Sequence, residues 1–184
     1  MGGVEVRPLA LADLDALAQV LGPTGRRADS CWCQRFRRHD EPDNRSALEA
    51  EVRAAPVPVG LLAVDDGPVG WTRVVPRAGL PGITGNRALA RLLDDDPSAW
   101  WVACVAVRRD ARGRGVGAAL LRAAATWAAE HGASVLDGHP VDTALGGGSP
   151  SALFTGTRSM FERAGFTEFG RTYRTRPVMR RDLR

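Results

Sequence analysis

The chain has 184 residues, 44% of them hydrophobic and 25% charged, the balance of an ordinary globular protein with one full core. A net charge of +4 permits an anionic ligand but falls short of the dense basic footprint of a dedicated nucleic-acid binder. No apolar run approaches the ~20 residues that a membrane span needs, the longest being "AWWVACVAV".

All 25 basic residues are arginine, a bias that fits GC-rich coding more than function, although the guanidinium fork suits phosphate. The start, "MGGVEV", has no basic-then-apolar leader and puts Val6 where a myristoylation signal wants a hydroxyl, so a cytoplasmic protein is expected. Cys31, Cys33 and Cys104 are odd in number and lack a second ligand pair, so neither a disulfide framework nor a metal site is expected.

In chain order, "VEVRPL" alternates as a first strand does. "LADLDALAQVL" places Leu14, Leu17, Ala18 and Leu21 on one helical stripe, ended by Gly22-Pro23. "CWCQRFRRHDEPDN" is aromatic and charged, expected to begin helical and to break at Pro42, and "NRSALEAEVRAA" reads as a second helix. "VGLLAVDDGPVGWTRVVPR" is a hairpin turning at Asp65-Asp66-Gly67. "WWVACVAV", apolar on both faces, is a central strand. An alanine-rich helix follows, stopped by Gly132, and then the strand "SVLDGHPV". "ALGGGSPSALFTGT" is expected to be mobile at its glycines; "TRSMFERAGF" is a short helix ended by Gly165, and a pair of strands closes the chain. The pattern is one domain, residues 1–184, of the α/β class, with helices around a single sheet.

The turn after the central strand carries Gly113, Gly115 and Gly117 among Arg108, Arg109, Arg112 and Arg114. It opens the alanine-rich helix, whose Leu120, Ala123, Ala124, Trp127 and Ala128 form a packing stripe. Free amides at a helix start, the helix dipole, and glycines that let backbone curl closely together make a cradle for pyrophosphate. A P-loop is excluded because it requires lysine, and a Rossmann fingerprint belongs earlier in a chain.

Arg112-Gly113-Arg114-Gly115-Val116-Gly117 after an apolar strand resembles motif A of the GCN5-related N-acetyltransferases. "VRPLALADLDAL", "GPVGWTRVVPR" and "MFERAGFTEFGR" extend the resemblance over nearly the whole chain. It implies a mixed, mostly antiparallel central sheet flanked by helices (the GNAT fold), with strands four and five splayed apart. It further implies acetyl-CoA as co-substrate, with pantetheine in the gap as a substitute strand. Val105, Ala106 and Val107 would pair with pantetheine, and the backbone of Gly113 through Ala118 (Gly113, Arg114, Gly115, Val116, Gly117, Ala118), begun by Arg112, would hold the pyrophosphate. The amide near Val105 would stabilise the oxyanion.

The family's frequent general acid is a tyrosine where this chain has Phe161, and Phe154 stands where an asparagine is often found. Thr155, Ser159 or water is left to donate. His139, sharing a strand face with Asp137, is the candidate base by intrinsic pKa, an exposed structural histidine being equally consistent. Asp142 reads as a loop cap. Cys104 sits beside the reaction centre on an apolar strand that offers nothing to favour a thiolate, so direct transfer is preferred. By the resemblance, Cys31, Trp32, Cys33, Gln34 and Phe36 would wall the acceptor site, while simple core packing of Trp32 and Phe36 carries equal weight. The acids of "DDDPS" read as caps, with attraction for a cationic acceptor as the lesser alternative.

The expected activity is transfer of acetyl from acetyl-CoA to a primary amine of a small molecule, such as a cationic antibiotic or metabolite, in a ternary complex. Alternatives are a protein N-terminal or side-chain acetyltransferase, or a non-catalytic acyl-CoA sensor. Nucleic-acid binding ranks low because the arginines are scattered. A monomer or homodimer, with neither nucleic-acid nor membrane partners, is expected.

Overall fold

The computed structural model describes residues 3–22, 26–146 and 152–184; most of the glycine run expected to be mobile falls outside them. Seven strands form one sheet: β1 (Glu5–Pro8), β2 (Gly60–Val64), β3 (Pro68–Pro76), β4 (Trp100–Val107), β5 (Val135–Gly138), β6 (Thr167–Tyr173) and β7 (Arg176–Asp182). Their order is β1-β2-β3-β4-β5-β7-β6, and only β4 and β5 run parallel.

Helices α1 (Leu14–Leu21), α2 (Asn44–Ala54) and the single turns α3 (Pro81–Thr84) and α4 (Arg87–Ala90) cover one face. Helices α5 (Val116–Glu130) and α6 (Arg158–Arg163) cover the other. α5 is the crossover that a parallel pair requires. Its stripe works as the periodicity predicts, with Leu120, Ala124 and Ala128 buried and Gly132 ending it at φ +82°. Among the described residues no helix is long and apolar enough to cross a membrane.

The central strand is buried on both faces because both are covered. Trp100, Val102 and Val105 point into the α5 core, and Trp101, Ala103 and Cys104 into the α1 core. Two successive residues, Ala103 and Cys104, share a face because β4 bulges there: Arg73 opposes Cys104, yet Val74 opposes Val102. The parallel ladder stops at the same place. β5 matches β4 only at Trp100↔Leu136, Trp101↔Asp137 and Val102↔Gly138, leaving residues 103–107 of β4 without a β5 partner. Strands four and five splay, as the resemblance implied.

The segment expected to begin helical at Cys31 instead runs through turns, with Trp32 at φ 38° and Cys33 at φ 57°. Trp32 is driven wholly into the α1-side core, and its Nε1 donates to Arg27 O at 2.9 Å. Burial of an indole outweighs the ~1–3 kcal/mol that such backbone costs.

The open end of β5 is held from beneath. Phe161 of α6 is fully buried, edge-on to Phe166 with ring centroids 5.0 Å apart. Its ring lies so close to Gly138 that an added Cβ would meet Phe161 Cε1 at 2.3 Å. Gly138→Ala should therefore destabilise the protein by about 2 kcal/mol through overpacking. A urea midpoint lowered at unchanged slope is the expected result.

Candidate active site

The site begins where β4 outruns β5. The Arg108 amide donates to Val69 O at 2.9 Å, so by antiparallel alternation Ala106 and Cys104 turn their main-chain groups toward β3. Val105 and Val107 turn theirs the other way, into the gap, where Arg112 Nε donates to Val107 O at 3.2 Å. Ala106, expected to share in this pairing, is excluded because its backbone already belongs to the β3 ladder.

Beyond the strand, Gly113 (φ +78°) and Gly115 (φ +81°) take a backbone conformation that L side chains rarely adopt, and a Cβ at either would meet nothing within 4 Å. The turn is open on its outer side. Ala119 N bonds back to Gly115 O at 3.0 Å, so the amides of Val116, Gly117 and Ala118 precede the first intrahelical donor, and no side chain caps them. Gly117 serves packing, since a Cβ there would meet the Met160 sulfur at 2.5 Å. Two of the four local arginines are neutralised, Arg108 by Asp110 and Arg114 by Asp65. Arg109 and Arg112 form no ion pair among the described residues. A cleft of about 940 Å³ lies between α1 and this turn, lined by Ala18, Leu21, Val107, Arg108 and Arg112 among others.

A second cavity, about 330 Å³, opens on the same face at the end of β5 and the start of β7. Arg35, Phe36, Leu89, His139, Phe154 and Arg176 line it. The Phe36 and Phe154 rings lie 6.1 Å apart, and the Arg35 guanidinium sits 4.9 Å from the Phe154 centroid. Arg176 donates to His139 Nδ1 (3.3 Å) and to Thr155 Oγ1 (3.2 Å), which leaves the proton on His139 Nε2 to face Thr172 Oγ1 at 2.7 Å. Burial, and then the neighbouring Arg176 charge, lower the His139 pKa to about 4.

The predicted residues sort accordingly. Val105 and the run Arg112 to Ala118 come together around the gap and turn. His139 reaches the second cavity, but as a neutral ring with both nitrogens engaged, so the basicity expected from its intrinsic pKa is corrected by its surroundings. Asp137, on the same strand face, is buried in ion pairs with Arg180 (2.7 Å) and Arg77 (3.2 Å). Asp142 pairs with Arg171 and Arg158.

Ser159 is exposed, its hydroxyl 3.3 Å from that of Thr157. Two residues from the buried Phe161, it points to the opposite side of α6 and away from the gap. Of the expected acceptor wall only Phe36 lines the cavity. Cys31 is exposed; Trp32 is core; Gln34 is buried with its amide toward Glu51 at 3.4 Å. Cys104 is buried against the Cys33 thiol, whose hydrogen bond and the surrounding desolvation push its pKa up and keep it protonated. Arg35 and Arg176 went unnoticed in the sequence, since nothing separates them there from the other arginines.

The acetyltransferase (GNAT) family model matches residues 26–143, a span that contains the bulge, the gap and the glycine turn. The chain belongs to this family. No curated protein matches it. Solved GNAT-fold structures align over nearly the full length. The aminoglycoside acetyltransferase AAC(6')-Ib, in complex with paromomycin and acetyl-CoA, is 19% identical, with 98% of this chain and 94% of that one covered and a TM-score of 0.61. The yncA protein of Salmonella typhimurium, with its cofactor acetyl-CoA, is 17% identical over 100% and 95%, TM-score 0.60. A GCN5-related N-acetyltransferase from Kribbella flavida is 20% identical over 97% of each chain, TM-score 0.59. Identities this low carry the fold; this chain's site rests on its own residues.

The His139 environment has a consequence for acid stability. Its folded pKa of about 4 lies below the unfolded 6.5, so the unfolded chain takes up the proton first. The corresponding stability is present above pH 6.5 and is lost as pH falls toward 4, on the order of 3 kcal/mol in all. His139→Gln should flatten that part of the stability curve in urea titrations run between those limits.

Proposed function

We propose that the protein transfers an acetyl group from acetyl-CoA to a primary amine of a small molecule, by direct attack within a ternary complex. The observation that carries this is the end of the β4–β5 ladder at Val102 and Gly138, beside an open-sided glycine turn. The main-chain groups of Val105 and the Val107 amide, which face the gap, suit an extended pantetheine arm, and the amides from Gly113 to Ala118 suit its diphosphate. The cleft against α1 gives the rest of a CoA molecule room. When bound, the thioester supplies the acetyl group and a thiol leaving group titrating near ~8.5.

The second cavity is the acceptor site in this reading. At about 330 Å³ and walled by Phe36 and Phe154, it fits a small molecule better than a polypeptide. The amine nitrogen forms its bond to the acetyl carbon, the Val105 amide faces the developing oxyanion, and the carbon–sulfur bond breaks. Phe161 offers no proton, and the Thr155 hydroxyl already donates to Ala152 O at 3.3 Å. Sulfur therefore leaves as thiolate and is protonated by solvent, which needs little help near neutral pH. With His139 Nδ1 held by Arg176, the ammonium loses its proton to solvent at the cavity mouth. Cys104, kept as a thiol, takes no part. The enzyme so read works in the cytoplasm, as a monomer or homodimer whose partners are acetyl-CoA and the amine.

Purified protein given acetyl-CoA and a panel of amines should release free thiol with at least one of them. Tight CoA binding without turnover on any acceptor would instead identify a sensor. Gly115→Glu puts a carboxylate into open space at the diphosphate position, at a backbone strain of ~1–2 kcal/mol, and should remove CoA binding from a folded protein. Calorimetry showing unchanged affinity would reject the cradle. The acid limb of kcat/KM should move with the pKa of the acceptor across an amine series. A limb fixed near the ordinary histidine pKa of ~6.5, and lost in His139→Gln, would restore His139 as the base.

A further inference from the structure

Arg176 stands apart from the other arginines. Among the described residues, every other buried or half-buried arginine faces a carboxylate or, for Arg181, the Ala164 carbonyl at the end of α6 (2.8 Å). Arg176 has only neutral partners, the Thr155 hydroxyl and His139 Nδ1. Arg35 shares its cavity and also lacks a carboxylate, lying instead over the Phe154 ring. Burial, together with the Arg35 charge, lowers the Arg176 pKa.

No Asp or Glu lines this cavity, and the residues outside the described ones include none. None of the three acids of "DDDPS" that offered attraction for a cation lines this cavity: Asp94 is engaged by Arg77 and Arg180, Asp96 by Ser98 and Ser134, and Asp95 lies at a separate pocket with Asp94. A guanidinium withdrawn from water is costly until an anion meets it, and its fork matches a carboxylate with two parallel bonds.

We propose that the acceptor carries a carboxylate beside its amine, as an amino acid does, and that Arg176, assisted by Arg35, binds that carboxylate in the second cavity. The inference rests on the acyl-transfer reading above and replaces the cationic acceptor expected from the sequence with a zwitterion. His139 and Thr155 are positioning residues here, holding the two nitrogens of the Arg176 fork. Phe36 and Phe154 supply an apolar wall for the acceptor's side chain.

The test is a comparison of the proteinogenic L-amino acids with the carboxamides of the same side chains, at fixed acetyl-CoA. The best carboxylate acceptor should exceed its carboxamide in kcat/KM by about 10- to 100-fold, the range for a hydrogen bond to a charged group. Arg176→Met should abolish that contrast and Arg176→Lys should retain part of it. Arg35→Met, which alters an exposed side chain, should reduce it in a protein whose CoA affinity reports an intact fold. A wild-type enzyme that takes carboxamides or an aminoglycoside as well as amino acids overturns the proposal.

If no amine releases thiol, the transfer reading fails and the anion site is judged on its own. Calorimetry on the CoA-saturated protein then compares N-acetyl amino acids with their carboxamides. A preference for the carboxylate that Arg176→Met removes supports the site; equal binding, or none, overturns it.

Discussion

The structure turns on a hydrogen-bond ladder that ends early. Parallel pairing between β4 and β5 stops at Val102 and Gly138, and the main chain of β4 continues without a neighbour on that side. An unpaired strand edge in the middle of a sheet is normally filled, because buried backbone groups need partners. Here the bulge at Ala103 and the packing of Phe161 beneath Gly138 accompany the opening, and the edge remains without a strand partner. The helix start at Gly115, with its uncapped amides, follows a few residues beyond the same edge. In the proposed reading, strand edge and helix end supply complementary contacts, one for an extended chain and one for a charge.

Keeping the gap open requires that β5 be held from its other side. Asp137, fully buried, receives Arg180 from β7 and Arg77 from the turn after β3, and Asp94 joins both arginines. That network ties β5 to β7 with directional, charge-assisted bonds, which would be costly to leave half made. One residue beyond Gly138, the chain delivers His139 to the second cavity. The same strand thus has a structural acid and a polar site residue on one face, two positions apart.

Charge divides the two cavities. At the glycine turn, Arg108 and Arg114 are already paired, so the positive potential comes mainly from backbone amides, Arg109 and Arg112. In the second cavity the charge is concentrated in Arg176 and Arg35, with Phe36 and Phe154 also in the lining and no acid among the lining residues. The first arrangement suits an anion of fixed shape approached by backbone. The second suits a small anion gripped by side chains.

Much of this was determined by sequence alone. Apolar periodicity located α1 and α5, the two-faced hydrophobicity of residues 100–107 made β4 central, and Gly113 and Gly115 marked the left-handed turn that opens α5, because local backbone requirements are written in local residues. The acceptor side was not legible. Gln34, expected in a wall, is interior, and Trp32 takes the core position that carried equal weight, in a segment with left-handed backbone at Trp32 and Cys33. His139 looked basic and is held neutral by burial and, next, by an arginine 37 positions away. Arg35 and Arg176 are ordinary arginines until folding places one on a turn and one at the start of β7, lining the same cavity. Which charges find partners depends on contacts between segments far apart in the chain, and only the tertiary structure decides that.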